Sequence, residues 1–262
     1  MEIYELPLVF FTVVTQWGIG GVLALTLCLT GHAALFNDRQ RVRLALLFWG
    51  ITVIGSLASL AHLGTPFGAY RALYGLAHSW LSREVVAFII LNALLSLWLL
   101  AAWKAPRLFL PLGWAGALAG VAAILVSAQV YAQMRLHPLW NTLATPAAFL
   151  GCALLLGCMS VAMLANALGQ SAPGRLRAAW GAGLALVAGA LVWRFQEPGA
   201  DGASPLFWWQ LFASLLPGGV ALLAARQISA GYALLAVMLV VTGELAGRML
   251  FYANVMSGAP WF

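Results

Sequence analysis

The composition of this 262-residue chain excludes a water-soluble globular domain, because 63% of the residues are hydrophobic and only 8% are charged. About a quarter of the residues in a soluble domain are charged. The net charge of +6 suits contact with anionic lipid and does not indicate a nucleic-acid partner. Lipid cannot satisfy backbone amides, so only helices or closed barrels span a bilayer. The apolar runs here are long and unbroken, which predicts an all-α integral membrane protein.

Eight apolar runs are long enough to cross the bilayer as helices. Together they form a single transmembrane domain over 1–262, with predicted bounds of 7–31, 44–62, 84–103, 110–131, 147–168, 179–194, 206–225 and 229–255. Gly64 and Pro66 end the second run, and the connection 63–83 is expected to contain a short interfacial helix. No Lys or Arg precedes the first run, so we expect a retained helix rather than a cleaved signal peptide.

The basic residues of the loops predict the orientation. The odd-numbered loops contain eight of them, namely Arg39, Arg41, Arg43, Lys104, Arg107, Arg175, Arg177 and Arg226. The even-numbered loops contain four, namely Arg71, Arg83, Arg135 and Arg194. Because positive charge accumulates on the cytoplasmic side, the odd loops are predicted to be cytoplasmic. Both termini would then lie outside, which is the periplasm in a cell with two membranes.

The cysteines do not indicate a metal centre. Cys28, Cys152 and Cys158 all lie inside apolar runs, and no CxxC motif occurs in the sequence. Thiolate iron–sulfur clusters and covalently attached haem need such motifs. We therefore expect the cysteines to be small packing residues, and we predict no metal, haem or iron–sulfur cluster in this protein.

Two ionisable residues at the membrane edge are the leading candidates for catalysis. His62 ends the second run, and Glu84 opens the third just after Ser82 and Arg83, so both lie on the outer side. A histidine at a helix C-terminus also complements the helix dipole, and Ser82 with Glu84 also suits a helix N-cap. An imidazole and a carboxylate at one membrane face are equally what the deprotonation of a lipid-soluble quinol requires.

Other polar residues inside the runs have competing interpretations. Glu244 and Arg248 are four residues apart in the eighth run, with Tyr252 on the same stripe, and such a pair most often satisfies itself and its neighbours. Gln16 suits an interhelical hydrogen bond or a quinone contact. Arg71 and Tyr131 are predicted to be interfacial anchors first and pocket residues second.

Several of these residues belong to motifs that resemble the membrane anchor subunits of the dimethyl sulfoxide reductase family, the DmsC type. The specific part of the resemblance is His62-Leu63-Gly64-Thr65-Pro66, followed by Arg71-Ala72-Leu73 and Leu81-Ser82-Arg83-Glu84. Weaker similarity begins with Glu5-Leu6-Pro7 and Gln16 and includes Tyr131, Trp140-Asn141-Thr142, and Gly243-Glu244 through Gly247-Arg248 to Phe251-Tyr252.

The resemblance implies a function as well as a fold. It implies eight helices with both ends outside, no haem, and a site that oxidises menaquinol to menaquinone with His62 and Glu84. We expect Gln16, Arg71 and Tyr131 to be further quinone-binding residues. The electrons would pass to an iron–sulfur subunit docked over the loop with Arg71 and Arg83, and then to a catalytic subunit with a molybdenum bis-pterin cofactor. The terminal substrate and the direction of electron flow depend on those partners.

Two other classes of function stay open at this point. A haem b anchor subunit needs two histidines at similar depth, but His32 ends the first run inside and His62 ends the second outside. A secondary transporter usually has internal repeats and helices broken at the midplane, whereas Gly64 and Pro66 lie at a membrane edge.

Overall fold

The computed structural model describes residues 4–31, 35–62, 66–197, 201–224 and 229–256. It confirms an all-α protein, with no strand among these residues and eight helices that are long and apolar enough to span a membrane. The helices are α1 (Leu6–Leu29), α2 (Asp38–Ala58), α3 (Trp80–Lys104), α4 (Pro106–Ala132), α5 (Ala144–Ala167), α6 (Gly174–Gln196), α7 (Pro205–Leu223) and α8 (Ala230–Met256).

Four helices begin four or more residues earlier than their apolar runs predicted, namely α2, α3, α4 and α6. α2 begins at Asp38 rather than at 44, and the side chains of Asn37 and Gln40 cap each other's backbone there. α6 begins at Gly174 rather than at 179, and α3 at Trp80 rather than at 84. Arg39 and Arg175, predicted to be loop residues, therefore lie in first helical turns. Long basic side chains reach the membrane surface from within a helix, so hydropathy alone places the first residue of these helices too late in the sequence.

The connection between α2 and α3 contains the short helical structure that was expected. One 3₁₀ helix, Ser59–His62, continues directly from α2, and a second covers Pro66–Gly75. The second packs against the start of α3, where a Cβ atom at Gly75 would lie 2.6 Å from the Ser82 hydroxyl.

The centre of the bundle is formed by α1 and α5. The α1 helix packs against α2, α4, α5 and α8, and α5 packs against α4, α6 and α8 as well. Backbones meet where α1 and α5 cross, because a Cβ atom at Gly20 would lie 1.8 Å from the Ala153 carbonyl oxygen. A Cβ atom at Gly157 would lie 2.0 Å from the Gly20 carbonyl carbon. Only hydrogen fits at such a helix crossing.

The α7 helix changes its winding halfway along. Its middle turn, Leu211–Leu215, is π-helical between two α-helical segments. Pro217 follows two residues later and has no amide hydrogen for the carbonyl of Ala213. A π-turn of this kind absorbs the lost hydrogen bond, and it brings Ser214 inward, where it is fully buried.

Consecutive helices that each cross one membrane must alternate in direction, so the α2–α3, α4–α5 and α6–α7 connections lie at one end of the bundle. We name this the even-loop end. It contains the N-terminal ends of α1 and α3 and the C-terminal ends of α4, α6 and α8. The sequence-predicted residues His62 and Glu84 therefore lie at the same end, as expected from their loop.

Candidate functional site

Glu84 is a buried carboxyl group, and it does not cap a helix. The N-cap of α3 is Ser79, whose hydroxyl accepts the amide of Ser82 at 3.3 Å, so the expectation that Ser82 is the cap was wrong. Glu84 therefore lies in the second turn, with only 6% of its surface exposed. Ser127 of α4 is close enough to hydrogen-bond to the carboxyl group, whereas Glu84 Oε1 has no hydrogen-bond partner in the described protein.

His62 is the last residue of the 3₁₀ helix that follows α2. Its side chain lies outside the described residues. The turn Ser59–His62 packs against α1, and its first residue donates a hydrogen bond from the Ser59 hydroxyl to the Ser56 carbonyl at 2.7 Å. The backbone of His62 is thus placed next to α1 at the even-loop end.

Tyr131 and Tyr252 form a buried hydroxyl pair that joins α4 to α8. Their hydroxyl oxygens are 2.8 Å apart, and the two side chains are 6% and 1% exposed. The interpretation of Tyr131 as an interfacial anchor was wrong, because its polar end faces Tyr252 instead of the membrane surface. Glu84 and Arg248 are both within electrostatic reach of the two hydroxyls. The tyrosine pair therefore connects the Glu84 region to the centre of the bundle.

An aromatic cluster surrounds this pair, and its rings come from α4, α5, α8 and the loop 133–143. The members of the aromatic cluster are Tyr131, Trp140, Phe149, Phe251 and Tyr252. The indole of Trp140 donates to the Phe251 carbonyl at 2.7 Å, and the Thr145 hydroxyl donates to the Trp140 carbonyl at 2.9 Å. These bonds fasten the loop 133–143 over the end of α8.

Glu244 and Arg248 bond to neighbouring residues, as expected, but they do not form an ion pair with each other. Both are described, yet no nitrogen–oxygen contact within 4 Å joins their charged groups. Arg248 Nη2 instead donates to Gln16 Oε1 at 3.0 Å, and its guanidinium lies 3.7 Å from the centre of the Phe149 ring. Glu244 accepts a hydrogen bond from the Ser214 hydroxyl of the π-turn. The α8 helix is thus bonded to α1 and α7 through separate partners.

The two arginines predicted in the α2–α3 connection differ in their surroundings, and Arg83 lies in the first turn of α3. Arg83 donates to the carbonyls of Leu76 and Ala77 at 3.0 and 2.9 Å, and its guanidinium lies 4.5 Å from the Trp80 ring centre. It therefore holds the turn before α3. Arg71 is exposed on the 3₁₀ helix Pro66–Gly75.

Sequence analysis did not identify Ser127 as a site residue. The spacing that would have indicated it was present, because Ser127 precedes Tyr131 by four residues and so lies on the same face of α4.

Among the described residues, no group of three or more His, Cys, Asp or Glu side chains is placed to hold a metal ion.

The family model of the DMSO reductase anchor subunit, DmsC, matches residues 1–192. The chain belongs to the DmsC family. This match contains Gln16, His62, Arg71, Glu84 and Tyr131. It ends inside α6, so α7 and α8 lie beyond it.

Curated relatives support the family assignment. The C polypeptide of the anaerobic dimethyl sulfoxide reductase from Haemophilus influenzae is 32% identical over 150 residues, which span 56% of the present sequence and 53% of that protein. Its Escherichia coli counterpart is 33% identical over 151 residues, spanning 56% and 52%. The C polypeptide of the sulfite dehydrogenase from Allochromatium vinosum is 35% identical over 130 residues, spanning 45% and 39%. The protein spans about half the length of the dimethyl sulfoxide reductase relatives that it matches.

Proposed function

We propose that this DmsC-family protein is the membrane anchor of a molybdenum oxidoreductase complex, that it binds menaquinol at the even-loop end, and that it oxidises this quinol. The observation that carries the proposal is Glu84, a buried carboxyl group with one oxygen that has no partner in the described protein. An ionisable group in a membrane helix is costly and most often functional. Glu84 lies inside the region that the DmsC family model matches, at the same end of the bundle as His62.

The proposed reaction breaks the two O–H bonds of the quinol and leaves two carbonyl groups. Two protons and two electrons are released. His62 accepts a hydrogen bond from one hydroxyl and takes its proton, and the unpaired oxygen of Glu84 takes the other. The Ser127 hydroxyl lies close enough to donate to the Glu84 carboxylate and would stabilise its charged form. Both protons then leave to the water at the even-loop end, which the loop charges predict to be the periplasm.

The remaining predicted residues take different parts in this proposal. Tyr131 stays a quinone contact, because Glu84 is within electrostatic reach of its hydroxyl. The Gln16 oxygen already accepts from Arg248, so we assign Gln16 to holding α1 against α8. Arg71 is exposed, and we assign it to the surface facing the partner subunit.

The partners follow from the proposed chemistry. The two electrons released from the quinol need an acceptor. We propose an iron–sulfur subunit at the even-loop end, which passes the electrons to a subunit with a molybdenum bis-pterin cofactor. The relatives named as dimethyl sulfoxide reductase and sulfite dehydrogenase subunits support a complex of this general kind in the bacterial inner membrane.

The test is menaquinol-analogue oxidation by the complex in membranes, comparing wild type with Glu84→Gln and His62→Ala. Both variants are expected to lose most quinol oxidation, about a hundredfold for loss of an acid–base group, and to keep activity with a soluble artificial donor. Glu197→Gln is the matched control, because this carboxylate also lies at the even-loop end but accepts only the Trp193 indole in the structure. Wild-type quinol rates in both site variants would refute the proposal.

A further inference from the structure

A cavity lies at the even-loop end, away from α2 and α3. It is formed by the ends of α6 and α8, the start of α7, Leu139 of the loop 133–143 and the pair Asp201 and Gly202, and its cavity volume is about 20 Å³. Its polar lining consists of Arg194, Asp201, Gln210 and Asn254. It extends beyond residue 192, where the DmsC family match ends.

Arg194 is the unusual group of this cavity. Its Nε and Nη2 atoms are shielded from solvent and have no hydrogen-bond partner in the described protein. The guanidinium lies 4.8 Å from the centre of the Phe251 ring, and no ion pair within 4 Å involves it among the described residues. Guanidinium N–H groups that are shielded from water and have no acceptor are costly, so a ligand that supplies an anionic oxygen would be stabilised here.

The charges near Arg194 favour an anion. The guanidinium of Arg248 lies 5.5 Å from the centre of the same Phe251 ring. Glu244 is the acidic group of α8 within reach of both arginines, and one carboxylate cannot neutralise two guanidinium groups. Asp201 lines the cavity, but its Oδ1 accepts the amide of Ala203 at 3.2 Å, so its carboxylate is held by its own loop.

The surroundings of the cavity indicate that the anion comes from the membrane. Phe195, which lines the cavity, is 57% exposed. Trp193, Trp208 and Trp209 are each about half exposed at the same end of α6 and α7. Exposed tryptophans mark the level of the lipid headgroups. Phe212 and Leu216 continue this exposed apolar surface along α7, where the acyl chains of a bound lipid would lie.

We propose that a phosphate oxygen of an anionic phospholipid enters this cavity from the membrane surface, with Arg194 as its main ligand. Basic pockets between transmembrane helices recognise such headgroups, and a guanidinium matches phosphate with two parallel hydrogen bonds. Gln210 is buried in the same cavity and offers an amide N–H. The bound lipid would tie α6 to α7 and α8, which are the helices beyond the family match.

The test compares the purified complex in nanodiscs of phosphatidylcholine alone and with phosphatidylglycerol added. The read-outs are thermal unfolding of this subunit and the phosphatidylglycerol that native mass spectrometry finds bound after detergent washing. Wild type is expected to retain one phosphatidylglycerol and to unfold at a higher temperature when it is present. Arg194→Gln should bind it about tenfold more weakly, and Arg194→Lys should recover part of the binding.

Arg135→Gln is the matched control, because Arg135 is exposed at the same end and its loss should leave lipid retention unchanged. Equal phosphatidylglycerol retention by wild type and Arg194→Gln would overturn the proposal. Inorganic phosphate that raised the unfolding temperature as much as the lipid does would show a site for soluble anions, and would also overturn it. Quinol oxidation is not a read-out, so failure here is distinguishable from failure of the proposed quinol site.

Discussion

The bond between Gln16 and Arg248 is expected to be a major link between the first and last helices. Arg248 Nη2 donates to Gln16 Oε1 at 3.0 Å, and both residues are almost fully buried. The other terminal nitrogen, Arg248 Nη1, has no acceptor in the described protein. Gln16→Leu would keep most of the side-chain volume and remove the acceptor. A charged buried donor left without a partner costs about 2–3 kcal/mol.

The double variant with Arg248→Met separates this bond from general packing damage. Replacing both partners by apolar residues of similar length removes the buried charge together with its acceptor, and such exchanges are close to neutral. The guanidinium also stacks 3.7 Å from the Phe149 ring centre, which would cost about 1–2 kcal/mol when lost. We therefore expect the double variant to be more stable than the sum of the two single changes by about 2 kcal/mol.

The assay is reversible unfolding in mixed micelles with increasing denaturing detergent, measured for wild type, both single variants and the double variant. Thr52→Val is a control of similar size, because its hydroxyl donates only within α2, to the Phe48 carbonyl at 2.8 Å. Additive free energies in the double variant would show that the two side chains act independently, and would refute the link between α1 and α8.

Two further predictions concern the helices that position the site. Gly157→Leu should prevent assembly, since even a Cβ atom there would lie 2.0 Å from the Gly20 backbone. Gly189→Leu is the control and should assemble normally, because no atom lies within 4 Å of a Cβ atom at Gly189. The yield of monodisperse protein checks both. Ser79→Ala removes the cap of α3 and should lower the free energy of unfolding by about 1 kcal/mol. Ser79→Asp should keep the cap and the wild-type stability. An alanine variant as stable as wild type would contradict the capping role.

The number, order and type of the helices could be predicted from the sequence. Each spanning segment must satisfy its own backbone in lipid, so a long apolar run is by itself enough to identify a helix. The same reasoning placed His62 and Glu84 at one end, since a single connection joins their helices. Hydropathy misplaced the starts of α2 and α6, because Arg39 and Arg175 lie in first helical turns that it had assigned to loops.

The partners of the buried polar groups depended on the tertiary structure. Gln16 meets Arg248 across 232 residues, and Tyr131 meets Tyr252 across 121. Lipid is as apolar as the interior of the bundle, so residue type does not show which face of a helix is buried: Leu118 is 66% exposed and Leu155 is 0% exposed. The rotation of each helix is set by close contacts such as Gly20 against Gly157, and these exist only once the helices pack together.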